Sequence, residues 1–232
     1  MYRYLLLDFD NTLVDFNETE RRALSVTFDA LYKRKLSKEE IGIYHRINDS
    51  CWKMLERKEI DKPELKRLRF EQFTEAIGIK NADVGEINRT YMDILSKTVV
   101  EYPDSFETCR ILAKNHTLFV ITNGTAYVQK DRLAGASFAP FISGLFISDE
   151  IGVNKPAPEF FDAIIKETQD TKRSSYLIVG DSPTSDILFG KNAGVDTCYV
   201  GAGESDADYR IGSIGELPQL LRAISDKEQI IS

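Results

Sequence analysis

Asp8 and Asp10 stand one residue apart in "LLLDFDNTL", at the end of an apolar run that opens the 232-residue chain. Two carboxylates so placed repel each other, by about 4 kcal/mol at ~4 Å and an effective dielectric of ~20. Their pairing therefore asks for a compensating cation and a chemical use. Three more motifs share this setting, each after a short β-rich apolar stretch. Thr122-Asn123-Gly124 ends "TLFVITNG", Asn154-Lys155-Pro156 comes after "GLFIS", and Gly180-Asp181-Ser182 ends "SYLIVGDS", with Asp186 five residues beyond Asp181. Taken singly, Asp10 reads as a turn residue, Asp181 as a helix N-cap and Lys155 as a solvated partner of Glu150. Taken together they are acids, a hydroxyl and an ammonium at the ends of four strands.

The elements that must position them follow from patterning. "YRYLLLDF", "TLFVITN", "GLFIS", "SYLIVGD" and "DTCYVG" are continuously apolar, as strands covered on both faces are. Amphipathic segments lie between and after them, at Ser105 to Lys114, Ala126 to Ala134, Pro158 to Thr168, Ser185 to Ala193 and Glu216 to Ile224. The alternation predicts an α/β fold with a doubly wound, Rossmann-like parallel sheet, whose strand ends share one crevice. Asp104 is the expected N-cap of the first of these helices, and Gly194 the expected C-terminal glycine of the fourth. The stretch from Asp15 to Thr98 is different. It is charged and helical in period, with apolar Leu24, Phe28 and Leu31, then Trp52 and Leu55, then Leu65, Leu68 and Phe73. It reads as an all-helical domain, residues 15–98, inserted into an α/β core made of residues 1–14 and 99–232.

Composition narrows the function classes. Hydrophobic residues make up 42% and charged residues 29%, without a fixed-period repeat, as in an ordinary globular protein. A net charge of −7 argues against nucleic-acid polymers and anionic membranes as partners. No signal-peptide pattern and no membrane-length apolar run stand out, so the expected compartment is the cytoplasm. Cys51, Cys109 and Cys198 are too few and too scattered for a disulfide framework or a metal clip, and are read as reduced. His45 and His116 lack partners at ligand spacing, which argues against zinc. Gly201-Ala202-Gly203 lacks the third glycine of a dinucleotide loop.

The joint order DxDxT, T-N-G, K-P and G-D-x4-D is similar to that of the haloacid dehalogenase superfamily of phosphatases, over nearly the whole chain. Phosphate monoesters need up to ~10²¹-fold acceleration, and a carboxylate can attack a phosphate dianion only once charge is neutralised. The resemblance implies that Asp8 is the nucleophile, forming an aspartyl-phosphate. Asp10 would protonate the leaving alcohol and then take a proton from water. Thr122 with the amides about Asn123 would hold the phosphoryl oxygens, and Lys155 would neutralise developing charge. Mg²⁺ would be held by Asp8, by the backbone carbonyl of Asp10 and by Asp181, with Asp186 supporting that shell from outside. A halide leaves unprotonated, so an acid at Asp10 favours phosphoryl chemistry over dehalogenation. A receiver-type signalling domain, the non-enzymatic alternative, is shorter, lacks the helical insertion and carries its acid pair on an earlier strand.

Within that superfamily, "NDSCWKMLERKEIDKPELKRLRFEQF" resembles the helical cap of pyrimidine nucleotidases, which dephosphorylate dUMP, UMP, dTMP and modified analogues. The substrate expected is thus a small phosphomonoester, a pyrimidine nucleoside 5′-monophosphate, with Phe16, Asn17, Asn48, Trp52 and Arg69 as candidate base contacts. The alternatives are a sugar-phosphate or phosphoglycolate-type phosphatase and a phosphosugar mutase. The expected assembly is a monomer or weak dimer.

Overall fold

The computed structural model describes residues 2–231. The chain runs through β1 (Tyr4–Asp8), α1 (Phe16–Tyr32), α2 (Lys38–Glu56), α3 (Lys62–Ala76), α4 (Val84–Ser96), α5 (Ser105–Leu112), β2 (Thr117–Thr122) and α6 (Ala126–Gly135). It continues through β3 (Gly144–Ile147), α7 (Ser148–Ile151), α8 (Phe160–Thr168), β4 (Tyr176–Gly180), α9 (Leu188–Ala193), β5 (Asp196–Val200), β6 (Tyr209–Ile211) and α10 (Leu217–Ile231). It divides into two compact units, Met1–Asp15 with Val100–Ser232, and Phe16–Val99. Among the described residues, no helix is long and apolar enough to cross a membrane.

The first unit is built on six parallel strands in the order β3-β2-β1-β4-β5-β6. Every residue of β1 and β4 is buried. On one face Tyr4, Leu6, Ile121, Tyr176 and Ile178 pack with Phe160, Phe161 and Ile164 of α8 and Phe189 of α9. Leu5, Leu7, Leu177 and Val179 alternate to the other face and are equally buried. Burial on both sides is why these strands read as unbroken apolar runs. The strand order reverses between β1 and β4, and open α/β sheets bind ligands outside the carboxyl ends of the strands at such a reversal. Register puts the motifs there: Asp8 ends β1 opposite Ile121, one residue short of Thr122, and Leu7 lies opposite Val179, two residues short of Asp181.

The loop leaving β1 turns sharply. Asn11 adopts φ 60°, a left-handed conformation that asparagine tolerates, and the amides of Leu13 and Val14 return to the carbonyl of Phe9. Val14 then bridges to Glu101, and the Asp15 amide donates to the Val100 carbonyl at 2.8 Å. The outgoing and returning chains are thereby tied within the α/β unit.

Two local expectations are corrected and one strand is added. Asp104 occupies the N-cap position of α5 with helical backbone angles, and its side chain makes no capping bond. A capping oxygen reaches the helix amides from an extended backbone, which Asp104 lacks. The helix expected from Ser185 instead opens with a π-helical turn, Pro183–Ile187, which Ser182 caps by accepting from the Ser185 amide, and only then becomes α9. The edge strand β6 was not anticipated: it has three residues, of which only Ile211 is buried, too short to show alternation. Gly194 ends α9 in the left-handed conformation, φ 68°, as expected.

The unit Phe16–Val99 contains α1 to α4. Ser37 and Glu40 form a reciprocal capping box on α2, while Asp61 and Asp83 cap α3 and α4 through the amides of Glu64 and Glu86. Its core is aromatic, with Phe28, Tyr44, Phe70, Phe73 and Tyr91 in mutual ring contact and all fully buried.

Candidate active site

At the carboxyl edge of β1 and β4 the ammonium of Lys155 donates to Asp8 Oδ1 at 2.7 Å and to Asp186 Oδ1 at 2.6 Å. Lys155 and Asp186 are 1% exposed and Asp8 is 7% exposed. A charge that deep stays charged only when paired. Lys155 is held there by Asn123, whose side chain accepts from the Lys155 amide and donates to its carbonyl, both at 2.8 Å. Asp186 is held by the Ser182 amide and reaches the site because position 180 is glycine: a Cβ there would lie 2.3 Å from Asp186 Oδ2. Lys155 is thus a buried bridge; the exposed partner of Glu150 is Lys130.

Asp181 completes the group. Asp8, Asp181 and Asp186 each offer a carboxylate oxygen, and these atoms lie within 4.8 Å of one another. Burial pushes the Asp8 carboxyl well above the usual carboxylate range, and Asp186 adds to the rise against the pull of Lys155. Burial, then Asp186, pushes Asp181 up to about 7. Burial works against the Lys155 ammonium, but Asp186 and Asp8 outweigh it and hold its pKa above the ordinary lysine value. One ammonium pairs with two of the three carboxylates, and their hard oxygens are a donor set suited to Mg²⁺.

The carboxylate of Asp10 is turned away from this group, toward α6. Its Oδ1 accepts from Arg132 Nη1 at 2.6 Å and its Oδ2 from Gln129 Nε2 at 2.9 Å. The same Gln129 amide donates to Thr122 Oγ1 at 2.7 Å, where the Gly124 amide also donates. The repulsion between Asp8 and Asp10 is therefore relieved by two separate cations, Lys155 and Arg132. Gln129 and Arg132 were not among the residues expected from the sequence. The signal was available in part, because both sit one turn apart on the helix that begins two residues after Gly124.

The remaining candidates lie in the helical unit. Asn48 donates to Glu20 Oε2 at 2.6 Å and accepts from Arg69 Nη1 at 3.3 Å, while Arg69 Nη2 donates to Asn88 at 2.9 Å. The Arg69 guanidinium lies over the rings of Phe70 and Tyr91. Asn48 and Arg69 are each 3% exposed, so the groups proposed for reading a base face one another. Trp52 packs against Cys51, Leu55 and Leu65. Phe16, half-buried, and Asn17, exposed, open α1.

A family model described as haloacid dehalogenase-like hydrolase matches residues 5–200, a span that includes all the motifs above. The chain is 29% identical over 229 residues to the pyrimidine 5′-nucleotidase YjjG of Escherichia coli, covering 94% of this chain and 97% of that protein. It is 31% identical over 210 residues to the pyrimidine 5′-nucleotidase PynA of Streptococcus pneumoniae, covering 85% and 83%. The crystal structure of the HAD-hydrolase YfnB from Bacillus subtilis, bound to magnesium, matches with a TM-score of 0.88 at 29% identity, covering 95% of this chain and 98% of that one.

Proposed function

The chain belongs to the haloacid dehalogenase-like hydrolases, and from that premise we propose that it is a Mg²⁺-dependent phosphomonoesterase acting on pyrimidine nucleoside 5′-monophosphates through an aspartyl-phosphate. The observation that carries the reading is the buried group of Asp8, Lys155, Asp186 and Asp181 at the strand edge. Asp8, Asp181 and the backbone carbonyl of Asp10 would hold Mg²⁺, with Asp186, already bonded to Lys155, supporting them from outside; the ion when bound supplies the positive charge that an anionic ester needs in a protein of net charge −7.

An Asp8 oxygen attacks phosphorus as the bond to the alcohol oxygen breaks, and Asp10 delivers a proton to that oxygen. Water then attacks the phosphoryl group on Asp8 while Asp10 takes back a proton; the phosphorus–Asp8 bond breaks and inorganic phosphate departs. Thr122 and the neighbouring amides grip the phosphoryl oxygens, and Lys155 offsets the charge that develops on them. Asn48 and Arg69 are buried and bonded within the helical unit, which leaves Phe16, Asn17 and Trp52 as the proposed contacts to the base. Nucleotide preference is supported by identity near 30% with two pyrimidine 5′-nucleotidases, in one case over 94% of the chain.

The test is phosphate release from a panel of nucleoside monophosphates and sugar phosphates, with Mg²⁺ and with chelator. The expected result is metal-dependent release concentrated on dUMP, UMP or dTMP. Release mainly from sugar phosphates would overturn the nucleotide assignment, and no release at all would overturn the phosphatase one.

A further inference from the structure

Arg132 is fully buried, 0% exposed, and takes no part in the steps above. Burying a guanidinium is costly unless its partners are well placed, so its surroundings ask for a reason. Arg132 Nη1 donates to Asp10 Oδ1 at 2.6 Å and to Gln129 Oε1 at 2.9 Å, and the guanidinium lies 4.9 Å from the centre of the Phe9 ring. Gln129, 2% exposed, uses both hydrogens of its amide, one on Asp10 Oδ2 and one on Thr122 Oγ1. A third residue makes room for this. A Cβ at Gly124 would lie 2.6 to 2.7 Å from three side-chain atoms of Gln129, so glycine there leaves the amide its place.

From this geometry we infer that Gln129 and Arg132 are positioning residues that fix the proton carrier Asp10 in register with the phosphoryl grip at Thr122. Each oxygen of Asp10 is held by a different side chain of α6, which removes the carboxylate's rotational freedom. The one amide shared by Asp10 and Thr122 sets the spacing between the atom that must receive a proton and the atoms that must be held still. Spacing of this kind matters because proton transfer in a transition state falls off steeply when donor and acceptor are misaligned. The inference rests on the assignment of Asp10 and Thr122 made above.

A positioning role for Asp10 has a signature that loss of stability alone does not produce. A ribose 5′-oxygen leaves poorly without a proton, whereas nitrophenolate leaves without one. The ratio kcat/KM covers only the steps through departure of the alcohol, so it isolates this event. For Gln129→Leu, kcat/KM on a pyrimidine 5′-monophosphate should fall about 10²-fold, against less than about 10-fold on p-nitrophenyl phosphate. Gly124→Ala, which disturbs Gln129 without changing α6, should show the same bias and covers the case in which Gln129→Leu does not fold. Equal losses on the two esters, or no loss on either, would overturn the inference while leaving the phosphatase reading intact. Wild-type protein that releases phosphate from neither ester would remove both.

Discussion

Lys155 carries two ion pairs at the most buried point of the site, 2.7 Å from Asp8 and 2.6 Å from Asp186. Replacing it by methionine keeps the volume and leaves two buried carboxylates without their cation. Breaking a buried pair from one side costs about 3–5 kcal/mol, and Lys155→Met should lower the unfolding free energy by about that much in urea at neutral pH. The deficit should shrink on acidification. A carboxyl whose folded pKa is raised, as that of Asp8 is, keeps a proton that the unfolded chain gives up, so its ionisation costs stability as pH rises above the ordinary carboxylate range. A deficit that instead grows at low pH would contradict the pairing. Asp8→Asn is the complementary change: the fold should persist in circular dichroism while phosphate release drops by at least ~10³-fold, and substantial residual activity would sink the nucleophile assignment. Asp8 and Asp181 were legible because each closes an apolar run, where a charge is out of place, and Lys155 and Asp186 because they fall in the order of motifs that follows. Gln129 and Arg132 were not, because periodicity assigns polar residues to the solvent side, and on α6 these two share the buried face with Val128.

The elements show how tightly backbone choices govern these side chains. Gly180 closes β4, and the Cβ of an alanine there would stand 2.3 Å from Asp186 Oδ2 and 2.4 Å from its Cγ. Gly180→Ala must push Asp186 off Lys155 or move the strand end, at a cost of about 1–3 kcal/mol, and should reduce activity more than 10-fold. Unaltered kinetics with unaltered stability would show that Asp186 has slack which the geometry denies. A second prediction concerns the helical unit, where Glu20, 3% exposed, accepts from Asn48 and pairs with His45 at 2.9 Å. The hydrogen bond to Glu20 raises the His45 pKa, against the opposing effect of burial. Its contribution is therefore complete below the unfolded value of about 6.5 and is lost as pH rises through the higher folded value. His45 is half exposed, so the effect should stay under about 1 kcal/mol, and His45→Gln should flatten the pH dependence of urea unfolding above about pH 6.5. Elements were readable where burial is two-sided, as in β1 and β4, or where a glycine marks a helix end, as at Gly194. Short ones were not: β6 has one buried residue, and the π-helical turn at Pro183 has no periodicity that distinguishes it from the start of α9.

At the scale of the whole molecule, the α/β architecture with an inserted helical segment follows from a change of period along the chain, from runs that fill a two-sided sheet to stripes that fill a helix. That architecture gathers Asp8, Asp181 and Asp186 at one sheet edge in a protein that already carries a net charge of −7. Ionising Asp8 and Asp181 there costs stability, and a divalent cation that binds only the folded chain should offset it by mass action, about 2.7 kcal/mol at a concentration 100-fold above its dissociation constant. Thermal unfolding at increasing Mg²⁺ should therefore show a rising midpoint. Asp181→Asn should remove most of the rise, because it deletes one of the donors and the Asp181–Asp186 repulsion that the ion would relieve. The rise should also depend on pH in a fixed direction. With Asp181 pushed up to about 7, its carboxyl at pH 5 holds a proton that the ion must displace, whereas at pH 8 it is mostly ionised, so the midpoint shift should be larger at pH 8. A shift of equal size at both values, or one that survives in Asp181→Asn, would place the cation elsewhere on this acidic surface and separate the charge of the molecule from the charge of its site.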